Sequence, residues 1–206
     1  MSDRQTSLDE VGEVNDNSED DFRSIRIGPR KLRIPTDWEI RPLDPEEGAT
    51  SRVTDGAHHS PNQSEDGEYY YATVSDMSSD RIDYDGCGLI DSEQYNNLVE
   101  GDCKPRRGEV LFSKDGTVGL TTVFNDDVDV VLLSSIAMID PVDDILNSHY
   151  LSQYLSSDFT EFQIQSLKSG TAIRRVVLMD IEKIEVPIPS LSEQRKIATV
   201  LHTVDQ

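Results

Sequence analysis

The residues of this chain best suited to chemistry are basic and hydroxylated side chains set beside glycines. Lys114, Gly116, Thr117 and Gly119 lie together in Ser113-Lys114-Asp115-Gly116-Thr117-Val118-Gly119. Bare amides at the two glycines, with Lys114, Ser113 and Thr117, would offer donors to a phosphate or a base edge. Hairpin geometry accounts for the same glycines without any ligand, because Asp115-Gly116 suits a tight turn between Val110-Leu111-Phe112 and a strand from Val118 to Phe124. The spacing is not Gly-x-x-x-x-Gly-Lys-Ser/Thr, which excludes a nucleotide-binding loop of that type. A second group is Lys168, Thr171, Arg174 and Arg175, around Gly170. The planar fork of arginine can take a phosphate or a guanine through two bonds, or else pair with one of many nearby acids.

Other reactive types assemble less. His58 and His59 have no carboxylate or thiol at a spacing that completes a tetrahedral metal set, so a turn or loop role is expected for them. Cys87 and Cys103 are too few and too isolated for a disulfide framework or a zinc site, and reduced structural thiols are expected. No Asn/Asp-Pro-Pro-Tyr/Phe tract, glycine-rich cofactor loop or nuclease-like acidic cluster is present. The chain is expected to perform no chemistry of its own and to need no cofactor.

The elements that would position these groups can be read from periodicity. Tyr69 to Asp76 and Val128 to Ile139 are rich in β-branched and aromatic residues and predict buried strands. Ser92 to Glu100 predicts a helix capped by Asp91 or Ser92, with Tyr95, Leu98 and Val99 on one side. Asn147 or Ser148 caps another, carrying Tyr150, Leu151, Tyr154 and Leu155, with Phe159, Phe162 and Ile164 continuing a core-facing side. Trp38, the single tryptophan, is expected as a core anchor. Leu178 to Ile181 turns into a strand, Lys183 to Val186, and Pro187 and Pro189 keep the chain extended. Ser190 and Glu193 then form a reciprocal capping box. Beyond it Ile197, Val200, Leu201 and Val204 make one apolar stripe on a terminal helix that needs a partner.

Bulk properties set limits. The chain has 206 residues, 35% of them hydrophobic, with 19 Lys and Arg against 40 Asp and Glu, for a net charge of −21. That length holds one ordinary domain plus a tail. Such acidity is unusual for a partner of nucleic acid, whose affinity rests on phosphate neutralisation. It suits a solvating surface in a salt-rich cytoplasm, where screening shortens electrostatic range; the alternative is an acidic protein that mimics or avoids nucleic acid. Met1 to Asp21 is acidic and almost without apolar residues, so disorder is expected. Phe22 to Pro35 reverses sign with Arg23, Arg26, Arg30, Lys31 and Arg33, and either touches a DNA backbone or folds back on the acidic segment. No apolar run approaches a membrane span, and no signal segment is evident, so a cytoplasmic location is expected.

Pro187-Ile188-Pro189-Ser190-Leu191-Ser192-Glu193-Gln194-Arg195-Lys196-Ile197-Ala198 resembles the junction, in specificity subunits of type I restriction-modification systems, between a target-recognition domain and a conserved helix. Ile34-Pro35-Thr36-Asp37-Trp38 resembles the opening of such domains, and Asp55-Gly56-Ala57-His58-His59-Ser60-Pro61 one of their loops. Gly108-Glu109-Val110-Leu111-Phe112 followed by Gly116-Thr117-Val118-Gly119 is similar to a further block.

The resemblance implies an α+β fold: one target-recognition domain with a mixed twisted sheet flanked by helices, then the start of a conserved C-terminal helix. Residues 1–33 would be an acidic then basic tail, 34–189 the domain and 190–206 the helix. It implies binding of double-stranded DNA through Lys114, Gly116, Thr117, Gly119, Lys168, Thr171, Arg174 and Arg175. It also implies docking through Leu191, Gln194, Ile197, Leu201 and Val204 to a methyltransferase subunit, a restriction/translocase subunit, or a second copy or half-subunit. Family members usually repeat the whole plan, whereas here one domain and about a seventeen-residue helix of roughly 25 Å are read. An acidic interaction protein, or an inactive truncated subunit that binds the modification subunit without reading DNA, is the competing expectation.

Overall fold

The computed structural model describes residues 21–167 and 175–204. The chain enters through two strands, β1 (Phe22–Ile27) and β2 (Arg30–Pro35), paired antiparallel. This overturns the expectation of a tail over the basic run. Ile25, Ile27, Leu32 and Ile34 share one face of the pair, and Gly28 takes a φ of +54° at the turn, which glycine adopts without a Cβ clash. Ile27 and Ile34 are buried, so the hairpin has an inner side that arginines mask in the sequence.

A four-stranded antiparallel sheet forms the middle of the molecule, in the order β4 (Thr50–Asp55), β10 (Ile136–Pro141), β7 (Val110–Ser113), β8 (Thr121–Val123). Alternate residues of its strands point to opposite sides. Val110, Phe112, Ala137 and Ile139 join the largest core cluster on one face, while Leu111, Ile136 and Met138 enter a second cluster on the other. A sheet buried on both faces explains why this part of the sequence is nearly continuously apolar.

The face carrying Phe112 is covered by α2 (Ser148–Leu155), α3 (Asp158–Leu167), α4 (Leu178–Glu182) and part of α5 (Leu191–Val204). The opposite face meets a three-stranded sheet, β6 (Gly88–Ile90), β5 (Tyr69–Ala72), β9 (Val130–Leu132). In it β5 pairs antiparallel with β6 and parallel with β9. Among the described residues the mixed sheet is thus one of four small sheets, the last being β3 (Glu39–Pro42) with β11 (Glu185–Ile188). Helix α1 (Ser92–Glu100) closes a third cluster through Tyr95, beside Tyr71 and Val131.

Local expectations mostly hold at the caps and fail at the edges. Asp91 caps α1 by accepting from the Gln94 amide, and Asn147 caps α2 by accepting from the Tyr150 amide. The predicted single helix after Asn147 breaks at Ser156 and Ser157 into α2 and α3. As a result Phe159 and Phe162 are only partly buried and carry the Arg30 guanidinium, 3.7 Å from the Phe162 ring centre, instead of entering the core. Trp38 is partly buried and lies outside the three core clusters. Among the described residues no helix is long and apolar enough to cross a membrane.

Candidate nucleic-acid interface

The connection between β7 and β8 is held from within. The Ser113 hydroxyl accepts from the Leu120 amide at 2.7 Å, and the Ser113 amide donates to the Leu120 carbonyl at 2.8 Å. Gly116 and Gly119 have φ of +75° and +102°, the backbone that this tight return requires. Neither amide is bare. Gly116 donates to the Asp115 carboxylate at 2.9 Å, and Gly119 to the Ser113 carbonyl at 3.0 Å. The expected anion-binding amides are therefore committed to the turn, and the exposed tip offers Gly116 and Thr117.

Lys114 is corrected more sharply. Its side chain is 2% exposed and its ammonium lies 2.9 Å from the Asp55 carboxylate, itself mostly buried. The same carboxylate lies 3.3 Å from His58, which is exposed on the loop after β4. This lysine neutralises an interior acid and does not reach solvent. Gly56, next to Asp55, could not carry a Cβ, which would fall 1.9 Å from the Leu132 carbonyl oxygen; the Asp-Gly pair is where β4 passes against β9.

Arg175 is the basic candidate that the structure does present. It is exposed, it bridges to Asp115, and its Nε lies 3.7 Å from the Asp115 carboxylate. The neighbouring Val176 amide donates to the Lys114 carbonyl at 2.7 Å, which fastens the two segments together. An exposed pair of this kind is worth about 0–1 kcal/mol, so the guanidinium can exchange Asp115 for a phosphate or guanine at little cost. Lys168, Thr171 and Arg174 lie outside the described residues. Beside the loop a cleft of about 680 Å³ runs between Gly119 and the α2–α3 junction, lined by Ser156, Ser157 and Thr160.

The docking residues divide. Gln194 is fully buried in its own domain, accepting from the Asn147 amide at 2.8 Å and donating to the Ile145 and Pro189 carbonyls at 2.8 and 2.9 Å. Ile197 packs against the main core and Leu191 is half-buried. Only Val200 and Leu201 of the expected stripe stand exposed, and the side chain of Val204 lies outside the described set. A stripe read on a helical wheel is blind to the polar Gln194, whose side-chain hydrogen bonds tie the helix to the domain.

Sequence reading also missed an interior ion network. Arg52, 8% exposed, pairs with the fully buried Glu109 and with Asp102, while the Arg106 amide donates to Glu109 at 2.7 Å. Burial pushes the Glu109 carboxyl above its usual range, and the Arg106 amide and the Arg52 guanidinium oppose that rise. Burial likewise pushes the Cys87 thiol up to about 12, with Asp76 and Asp83 adding to it, so this cysteine is no thiolate at neutral pH. Among the described residues no cluster of three or more His, Cys, Asp or Glu could hold a metal.

A doubly packed sheet that holds two converging exposed segments, with a helix anchored at its base, defines a loop-presenting α+β domain. Residues 54–206 match the family described as type I restriction modification DNA specificity domain, and the chain belongs to that family. It is 23% identical over 178 residues to the type I restriction enzyme EcoBI specificity subunit of Escherichia coli, covering 85% of this chain and 36% of that protein. The fold is similar to the crystal structure of the HsdS subunit from Thermoanaerobacter tengcongensis, with a TM-score of 0.59 at 21% identity, over 91% of this chain and 40% of that one. A chain from a structure of type I R-M system assembly gives a TM-score of 0.56 at 21% identity, over 84% of this chain and 39% of that one. The chain spans 28% to 43% of the length of the curated relatives it matches.

Proposed function

We propose that the chain is a sequence-reading, non-catalytic DNA-recognition module of a type I restriction-modification assembly in the cytoplasm, directing a methyltransferase subunit and a restriction/translocase subunit to a target. Residues 34–189, with the β1–β2 hairpin in front, act as the reading head, and 190–206 as the stem toward protein partners. The observation that carries this reading is the meeting of the β7–β8 loop with Arg175 at one exposed edge of a domain from a DNA specificity family. Base edges are read by side chains held in register by a rigid support, and the Gly119–Ser113 and Val176–Lys114 backbone bonds support such a role for Thr117 and Arg175. Leu201, exposed on α5, is left for a partner; Gln194 and Ile197 fix the stem to the head.

The test is enrichment of a random duplex pool by the full chain in concentrated KCl, with and without the cognate methyltransferase subunit. One sequence class is expected to emerge. Arg175→Gln should relax one position of it, at a cost of about 1–3 kcal/mol in discrimination. A pool that stays random in both settings sinks the reading.

A further inference from the structure

The outer face of the β1–β2 hairpin carries Arg26, Lys31 and Arg33 and no acid, in a chain of net charge −21. Cross-strand register puts Arg26 directly opposite Lys31, and Ser24 opposite Arg33, on the side away from Ile25, Ile27, Leu32 and Ile34. Arg26, Lys31 and Arg33 are all exposed, and among the described residues none of them meets a carboxylate. Like charges placed directly across an antiparallel pair destabilise it, so Arg26 against Lys31 is a cost that the hairpin itself does not repay. An anion on that face would reverse the sign.

From this geometry we infer that the hairpin's outer face binds the phosphate backbone of duplex DNA, as a second contact beside the one formed by Thr117 and Arg175. The inference rests on the proposed DNA-reading function. Three features select a phosphate backbone. Successive cation-bearing rungs lie two residues apart, about 6.8 Å along a strand, comparable with the step between neighbouring phosphates on one DNA strand. The acids that recur regularly in residues 1–20, Glu10, Glu13, Asp16 and Glu19, stand three residues apart and not two. The hairpin also sits against α3, where a Cβ on Gly28 would lie 3.3 Å from the Gln163 side chain, while Thr160 and Ile164 of the same helix line the cleft beside Gly119. Hairpin and loop therefore flank one helix, ~10–12 Å across with its side chains.

The experiment measures duplex affinity of the full chain against KCl concentration by fluorescence anisotropy, using the enriched duplex. Arg26→Gln/Lys31→Gln/Arg33→Gln should lower the slope of log affinity on log salt by about 2–3 and leave the preferred sequence unchanged. Arg26→Lys/Arg33→Lys should keep the wild-type slope, and the glutamine variant should melt no lower than wild type, because a like-charge pair has been removed. An unchanged slope in the glutamine variant, with wild type still selective, overturns the hairpin contact and leaves the DNA-reading function standing. An unchanged slope combined with tighter binding once the acids of residues 3–20 are made Asn and Gln would overturn it too, assigning the face to the chain's own acidic segment. Wild type that binds no duplex removes the function and the hairpin contact with it.

Discussion

Lys114 and Arg175, both basic, are set apart by burial: one is enclosed against Asp55, the other exposed beside Asp115. Lys114 sits against Asp55 out of water, and taking away one member of a buried pair strands the other charge. Lys114→Met is therefore expected to lower unfolding free energy by about 3–5 kcal/mol, read by urea titration, and Lys114→Met/Asp55→Asn to recover part of it. A loss of DNA affinity with no loss of stability would contradict the interior role. Nothing in Lys114-Asp115-Gly116 distinguishes an inward from an outward lysine, because the deciding partner stands on another strand. The glycines were legible as turn residues, but the occupation of their amides depends on Asp115 and the Ser113 carbonyl, which spacing does not reveal.

Among the elements, those announced by their own caps were legible, and those defined by distant partners were not. The box at the start of α5 forms as expected: the Glu193 carboxylate accepts from the Ser190 amide at 3.1 Å and from its hydroxyl at 2.7 Å. Those hydrogen bonds, first from the Ser190 side chain and then from its backbone, hold the Glu193 carboxyl below its usual range. A depressed acid stabilises the fold above its unfolded pKa, about 4.3, and loses that contribution as pH falls through the lower folded value. Carboxylate NMR should place the Glu193 midpoint below that of an ordinary glutamate, and Ser190→Ala should raise it. Loss of the Ser190 cap itself should cost about 1 kcal/mol. By contrast the β1–β2 hairpin was hidden because arginines interrupt its alternation; the usable signal was Gly28-Pro29 between Ile25, Ile27 and Leu32, Ile34. The end of α2 was blurred for a related reason, since Ser156 and Ser157 break it without glycine or proline.

At the scale of the whole molecule, charge and packing pull apart. Three core clusters hold the sheets together, yet 40 acids on 206 residues repel one another in dilute salt. Raising KCl from about 0.1 M to 1 M shortens the screening length from ~10 to ~3 Å, so the melting temperature followed by circular dichroism should climb with salt. A flat or falling curve would show that the acids are not a stability burden. The α+β class and the family resemblance were readable from short tracts spread along the chain. The division into four sheets was not, because strand neighbours such as β5 with β9 come from distant stretches.

The backbone bond from Val176 to Lys114, with the Asp115–Arg175 bridge beside it, ties the β7–β8 return to the start of the segment that leads into α4. Under the proposed DNA-reading function, change in one segment must be tolerated by the other, so new target preferences should arise as matched pairs of segments. On that proposal, a graft of the 113–120 return without the 168–176 stretch would carry half a word into a foreign sentence, and moving both together should transfer the preference.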